Sequence, residues 1–330
     1  MTTLRSKIFL GILRNRHLLK GHLRPEVIDE TFSVEKFRNN IDKASEKMKI
    51  PDTVRVEPTS INGKYANDGM YANGRKYANG GMYANDGMYA EWIVPQNPLK
   101  DKVLLYIHGG GFISGSCLTH RMHVAKFAQE CQMKSLLFDY RLAPEHPFPA
   151  APKDCVTAYK WLLEQGISPR DIVVGGESAG ATLTLSLLLS LKEQLIELPR
   201  AAFAISPVTD LRCQAASFTY NFPHDVAPKN SWTVWTNMYI AGNDPTTPLL
   251  SPQFGDFRGI PPLYICVGTH EIHYEDCLAV ARVAREHGVD ITLREWNKMV
   301  HAFPLLTPLF PEAKTAFEEI CKWVRVRSEE

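Results

Sequence analysis

The sequence predicts an α/β protein built on an open, mostly parallel sheet. Two observations carry this. From residue 103 onward, short dense apolar runs alternate with stretches of helical periodicity, which is the pattern of βαβ units whose strands are buried on both faces. The composition can supply the core such a sheet needs: 330 residues, 45% apolar and 22% charged, with 37 Lys and Arg against 36 Asp and Glu for a net charge of +1. That balance excludes a disordered chain and offers no basic surplus for nucleic acid. At this length, one large domain with an accessory piece competes with two domains.

The elements follow in order. Residues 1–50 have apolar positions at helical spacing and read as N-terminal cap helices, with 51–330 as the main domain. Within them, Ile8-Phe9-Leu10-Gly11-Ile12-Leu13 lies among Arg5, Lys7, Arg14 and Arg16, and the first acid is Glu26. The run is too short for a signal-peptide core or a membrane span. It reads as a helix packed on the protein's own apolar surface; a transit peptide and a helix lying on a membrane surface are the alternatives. Strands are expected at 53–57 and 90–94, then at 103–107, 135–139, 171–175, 201–206, 263–267 and 290–295. Helices are expected near 120–131, 152–165, 179–195, 274–287 and 311–325. The alternation lapses over 210–242, where Phe218, Tyr220, Phe222, Trp232, Trp235 and Tyr239 mark an aromatic insertion; residues 211–242 are taken as a second cap segment. Seven scattered Cys without a CxxC pair indicate neither a zinc site nor a redox pair, and fit free thiols in a reducing cytoplasm.

One stretch repeats. From Lys64 the chain reads KYANDG, MYANGR, KYANGG, MYANDG and MYAEW. An even period puts Tyr65, Tyr71, Tyr77, Tyr83 and Tyr89 on one side of an extended chain, whereas a helix scatters them. Each full unit carries an Asn-Gly, Asn-Asp-Gly or Asn-Gly-Gly turn signal. With no Val, Leu or Ile in the units, a self-sufficient solenoid core is not expected. Removing residues 64–87 joins Ile61-Asn62-Gly63 to Met88-Tyr89 and leaves a plain hairpin. The segment therefore reads as a tandem expansion of one hairpin loop, tolerated because long loops add little closure entropy. Its sharper reading is an aromatic surface for a partner or polymer. Without these residues the length suits one capped domain.

Two glycine-rich turns carry chemistry. Gly176-Glu177-Ser178-Ala179-Gly180 follows a predicted strand and opens a predicted helix. A serine there sits on a sharp turn, its flanking glycines avoid collisions, and the helix N-terminus favours negative charge nearby. His108-Gly109-Gly110-Gly111-Phe112 also ends a strand, and its uncovered N–H groups can receive an oxyanion together with that of Ala179.

With Asp139-Tyr140-Arg141-Leu142-Ala143-Pro144-Glu145-His146-Pro147-Phe148-Pro149-Ala150 and His301-Ala302-Phe303, these motifs resemble the hormone-sensitive-lipase-like carboxylesterases of the α/β-hydrolase fold, from about residue 50 onward. The resemblance implies an eight-stranded mostly parallel sheet, a helical cap, and hydrolysis of short- to medium-chain carboxylic esters without cofactor or metal. It implies Ser178 as nucleophile, His301 as base, and Gly109, Gly110, Gly111 and Ala179 as the oxyanion hole. The family's acid position falls on Glu271, where members usually carry Asp-Pro-Leu; Glu275 and Asp276 are the competing carboxylates. The 139–150 loop, His108, Glu177 and Asp210 read as architectural. Phe112, Trp232 and Trp235 are candidates for an acyl pocket. The expected partner is a small ester, with no nucleic acid and no stable membrane insertion. The resemblance also implies a possible homodimer, since family members often dimerise, commonly through the last strand's edge. The rivals are a lactone, thioester, amide or carbamate hydrolase or acyltransferase on the same site, and a catalytically silent receptor.

Overall fold

The computed structural model describes residues 2–19, 27–29, 31–62, 83–84 and 87–330. Strands β1 (Val54–Ile61), β2 (Tyr83–Ala84), β3 (Gly87–Pro95), β4 (Val103–Ile107), β5 (Lys134–Phe138), β6 (Ile172–Glu177), β7 (Ala201–Ile205), β8 (Leu263–Gly268) and β9 (Ile291–Trp296) form one sheet. Its order is β1-β3-β5-β4-β6-β7-β8-β9, with the two-residue β2 paired only to β3. β3 runs antiparallel to β1, β2 and β5, and every pairing from β5 to β9 is parallel. All eight expected strands are present. The central ones, β4, β6, β7 and β8, are buried at every residue, as their continuous apolar runs demand.

The helices are α1 (Leu4–Arg14), α2 (Arg16–Leu19), α3 (Val34–Ser45), α4 (Cys117–Cys131), α5 (Ala150–Glu164), α6 (Ala179–Glu193), α7 (Ser217–Tyr220), α8 (Ser231–Ile240), α9 (Tyr274–Glu286) and α10 (Pro311–Glu329). α6 is buried along residues 179–191, with Thr182, Thr184 and Ser186 donating to carbonyls, so it is a core helix rather than an amphipathic one. On the other face Phe127 of α4 packs against Phe317 of α10, with ring centroids 4.5 Å apart.

The N-terminal helices divide their work. α1 lies on α10: Glu312 accepts hydrogen bonds from the Thr3 N–H at 2.5 Å and the Ser6 hydroxyl at 3.0 Å, and Phe9 packs on Phe310. α3 instead covers the carboxyl ends of the strands. Its buried Arg38 donates to the carbonyls of Ile113 and Ala143 at 2.6 and 2.8 Å and pairs with both Glu145 oxygens. One guanidinium thereby fastens α3 to the two loops after β4 and β5. The 211–242 segment supplies α7 and α8, and Val27 bridges to Lys229 within it. Most of the hexapeptide repeat, residues 64–82 and 85–86, and with it the expected loop conformation, lies outside the described residues. Its base is described: Ile61 pairs with Met88, and Asn62 is left-handed at φ 58°.

Candidate active site

Four loops at the carboxyl ends of parallel strands, after β4, β6, β8 and β9, bring the site together, where open α/β sheets place their ligands. Ser178 sits between β6 and α6 at φ 57° and ψ −125°, a strained backbone for a residue with a side chain. Its neighbours must be glycine. A Cβ on Gly180 would lie 2.0 Å from the Ile107 carbonyl oxygen, and one on Gly176 would lie 2.4 Å from the same atom. The tight turn lifts the Ser178 hydroxyl into a cavity of about 370 Å³.

Ser178 Oγ lies 2.8 Å from His301 Nε2, and His301 Nδ1 lies 3.2 Å from Glu271 Oε2. Glu271 is fully buried. Its other oxygen accepts from the Gly268 N–H at 2.5 Å and from the Ser206 hydroxyl at 2.8 Å. Ser206 Oγ in turn accepts from the Ala302 N–H, which ties the acid to the His301 loop. Burial pulls the His301 imidazole down, but the hydrogen bond and charge of Glu271 outweigh it and hold its pKa above the ordinary value. Burial also pushes Glu271 up, against the opposing pull of His301.

The competing acids face elsewhere. Glu275 accepts from the Ser217 N–H and the Tyr220 hydroxyl, anchoring α7. The nearest ionisable partner of Asp276 is His273, at 3.6 Å. Both occupy the first turn of α9, where carboxylates suit the helix dipole.

The loop after β4 bears Gly110 and Gly111 at φ 122° and 64°, and both line the cavity beside Ser178. Gly109 departs from the expectation. Its N–H donates to Glu177 Oε1 at 2.6 Å and is therefore not free for an oxyanion. The N–H groups of Gly110, Gly111 and Ala179 show no hydrogen-bond acceptor among the described residues. Glu177 also pairs with His120 Nε2 at 2.9 Å; burial works against its charge, but His120 and the Gly109 N–H hold its pKa below the ordinary value. His108 is architectural. Burial and the neighbouring His120 press its pKa down to about 3, its ring stacks on Tyr140, and its carbonyl accepts from the Tyr140 hydroxyl.

Trp232 and Trp235 line the cavity, and α3 contributes Phe37, Ile41 and Ser45. Phe112 does not. It is buried against Tyr239, with parallel rings 4.0 Å apart, so its positive φ turns the side chain into the cap rather than toward Ser178. The 139–150 loop is held as expected of a scaffold: Asp139 accepts from the Cys117 N–H, Arg141 pairs with Asp154, and Glu145 holds Arg38. Asp210 likewise holds Arg212 and Gln253.

Several functional neighbours escaped the sequence reading. Asp225, in the cap, accepts from the His301 N–H at 3.1 Å, the Ile272 N–H at 2.9 Å and the Val226 N–H at 2.8 Å. It thus joins the base loop to the acid loop. Ser206 has a comparable role, and His120 and His123 line the cavity wall. Among the described residues no cluster of three His, Cys, Asp or Glu side chains could hold a metal ion. Nor is any described helix long and apolar enough to cross a membrane.

A carboxylesterase-type fold and a serine–histidine–carboxylate chain facing a mostly apolar cavity define the class, a carboxylic ester hydrolase. Residues 104–305 match the alpha/beta hydrolase fold family, and the chain belongs to it, in its hormone-sensitive-lipase-like branch. It is 37% identical to an acetyl-hydrolase of Streptomyces hygroscopicus over 242 residues, covering 73% of this chain and 81% of that one. It is 35% identical to an esterase of Acinetobacter venetianus over 224 residues, covering 67% and 74%. A crystal structure of an esterase from the bacterial hormone-sensitive lipase family superposes with a TM-score of 0.83 at 31% identity, covering 99% of both chains.

Proposed function

We propose that the protein hydrolyses short- to medium-chain carboxylic esters through a Ser178–His301–Glu271 triad and an acyl-enzyme. The unbroken chain of contacts from Ser178 Oγ to His301 Nε2 at 2.8 Å and from His301 Nδ1 to Glu271 at 3.2 Å carries this reading. Ser178 Oγ attacks the ester carbonyl while His301 Nε2 takes its proton. Glu271 keeps the proton on Nδ1, so that Nε2 stays an acceptor, and stabilises the imidazolium. The N–H groups of Gly110, Gly111 and Ala179 receive the oxyanion. The imidazolium then protonates the departing alcohol. In deacylation His301 takes a proton from water, which attacks the acyl carbonyl and regenerates Ser178.

The cavity volume of about 370 Å³ and its walls of Phe37, Ile41, Trp232 and Trp235 support an acyl group of modest length. Seven free thiols support a cytoplasmic setting. An organophosphonate should label Ser178 covalently, and Ser178→Ala should lose both label and turnover. Glu271→Gln should lower kcat by about 10³-fold or more, while Asp276→Asn should retain it. Absent labelling with wild-type turnover in Ser178→Ala overturns the nucleophile. The reverse ranking of the two acid variants overturns Glu271. An inert, folded protein that binds esters tightly supports the receptor instead.

A further inference from the structure

α1 is apolar on two faces. Phe9, Leu10 and Leu13 pack inward, with Leu10 only 2% exposed. On the opposite face Leu4, Ile8 and Ile12, four residues apart, are 73%, 57% and 52% exposed. A row at i, i+4 and i+8 is a continuous stripe along one side of a helix. Arg5 and Lys7, both exposed, flank it. The helix is a fixed platform rather than a frayed end: Thr3 caps it, Glu312 holds its first turn, and Phe9 rests on Phe310. Positive charge is also concentrated in this part of the sequence. The first 25 residues hold six of the 37 basic side chains and none of the 36 acids, so the rest of the chain is net acidic. Exposed aliphatic residues flanked by cations on a rigid helix fit a surface that offers hydrocarbon beneath negative headgroups.

We propose that the outward face of α1 docks the enzyme reversibly on an anionic lipid surface, its aliphatic stripe entering the acyl boundary and Arg5 and Lys7 meeting the headgroups. This association is peripheral and independent of the chemistry at Ser178. It also lies near the site: Arg16 of α2 donates to the Val226 carbonyl at 2.9 Å, and Val226 lines the cavity.

Co-sedimentation of the full chain with phosphatidylcholine vesicles, with and without phosphatidylglycerol, tests this. The wild type should bind the anionic vesicles and release in high salt. Leu4→Ser/Ile8→Ser/Ile12→Ser and Arg5→Glu/Lys7→Glu should each weaken binding by about tenfold or more. Both variants should turn over a soluble short-chain ester at the wild-type rate, which shows that they are folded. Four results would overturn the proposal: no wild-type binding to anionic vesicles, equal binding to neutral ones, undiminished binding by the triple serine variant, or a wild-type dimer that this variant dissociates without any vesicle binding.

Discussion

At the scale of single residues, the site depends on groups that never touch substrate. Asp225 is the clearest. Its two oxygens accept backbone N–H groups from His301 and Ile272, so one carboxylate sets the distance between the base and acid loops. An asparagine there must turn its amide donor toward one of those N–H groups. Small displacements of a reacting group cost about 10²-fold in rate. Asp225→Asn should therefore lower kcat by about that factor with KM little changed. The Asp225 charge also helps raise the His301 pKa. In the proposed mechanism His301 must be neutral to act as base, so activity should be lost as pH falls through that pKa. The variant's acid limb should accordingly shift to lower pH. An unchanged limb and a kcat within twofold of wild type, in a folded protein, would sink this role. That Ser178, His301 and Glu271 meet was legible, the first two because local motifs carry them and Glu271 because it stands at a fixed offset after a strand. Asp225, Ser206 and Arg38 were not, since their partners are remote in sequence and no local pattern marks a buried polar clasp. Gly109 and Phe112 differ from expectation for a related reason: a glycine-rich turn shows that N–H groups and side chains can be redirected, but not where they go.

At the scale of elements, the strands were legible because burial on both faces leaves continuous apolar runs. The cap was less so, since α7 and α8 are short pieces held by tertiary clasps such as Glu275 on Ser217. The first hairpin shows how register sharpens a sequence reading. Ile61 pairs with Met88, and Asn62 is already left-handed. Joining Gly63 to Met88 would leave Asn62-Gly63 as a two-residue turn, and Asn-Gly suits the paired positive φ angles of a type I′ turn. Deleting residues 64–87 should thus close the hairpin without disturbing the β1–β3 ladder. Esterase activity should be retained, and Tm should stay within about 3 °C of wild type. A folded deletion variant without activity would mean that the repeat contributes to function, as the aromatic-surface reading holds.

At the scale of the whole molecule, opposing sets of buried ionisable groups shape stability against pH. Burial, with the neighbouring His120, presses the pKa of His108 to about 3 and that of His123 to about 4. The unfolded chain takes up protons at these histidines below its ordinary value of 6.5, so their contribution is lost as pH falls. Asp139 works the other way. Burial raises its pKa from 3.8 to about 7, against the hydrogen bond from the Cys117 N–H. Between those values the folded protein holds a proton that the unfolded chain has released, so stability falls as pH rises through that window and then levels off. The alkaline side is also where His301 is neutral and turnover is expected, so catalysis and the Asp139 contribution pull against each other. Asparagine at this position can still accept from Cys117 and carries no charge. Asp139→Asn should therefore gain on the wild type steadily from pH 4 to pH 7, reaching on the order of 2–4 kcal/mol. Denaturant midpoints at pH 4.5 and pH 8 measure the difference, and an advantage that stays flat or shrinks with rising pH would show that Asp139 ionises freely in the folded protein.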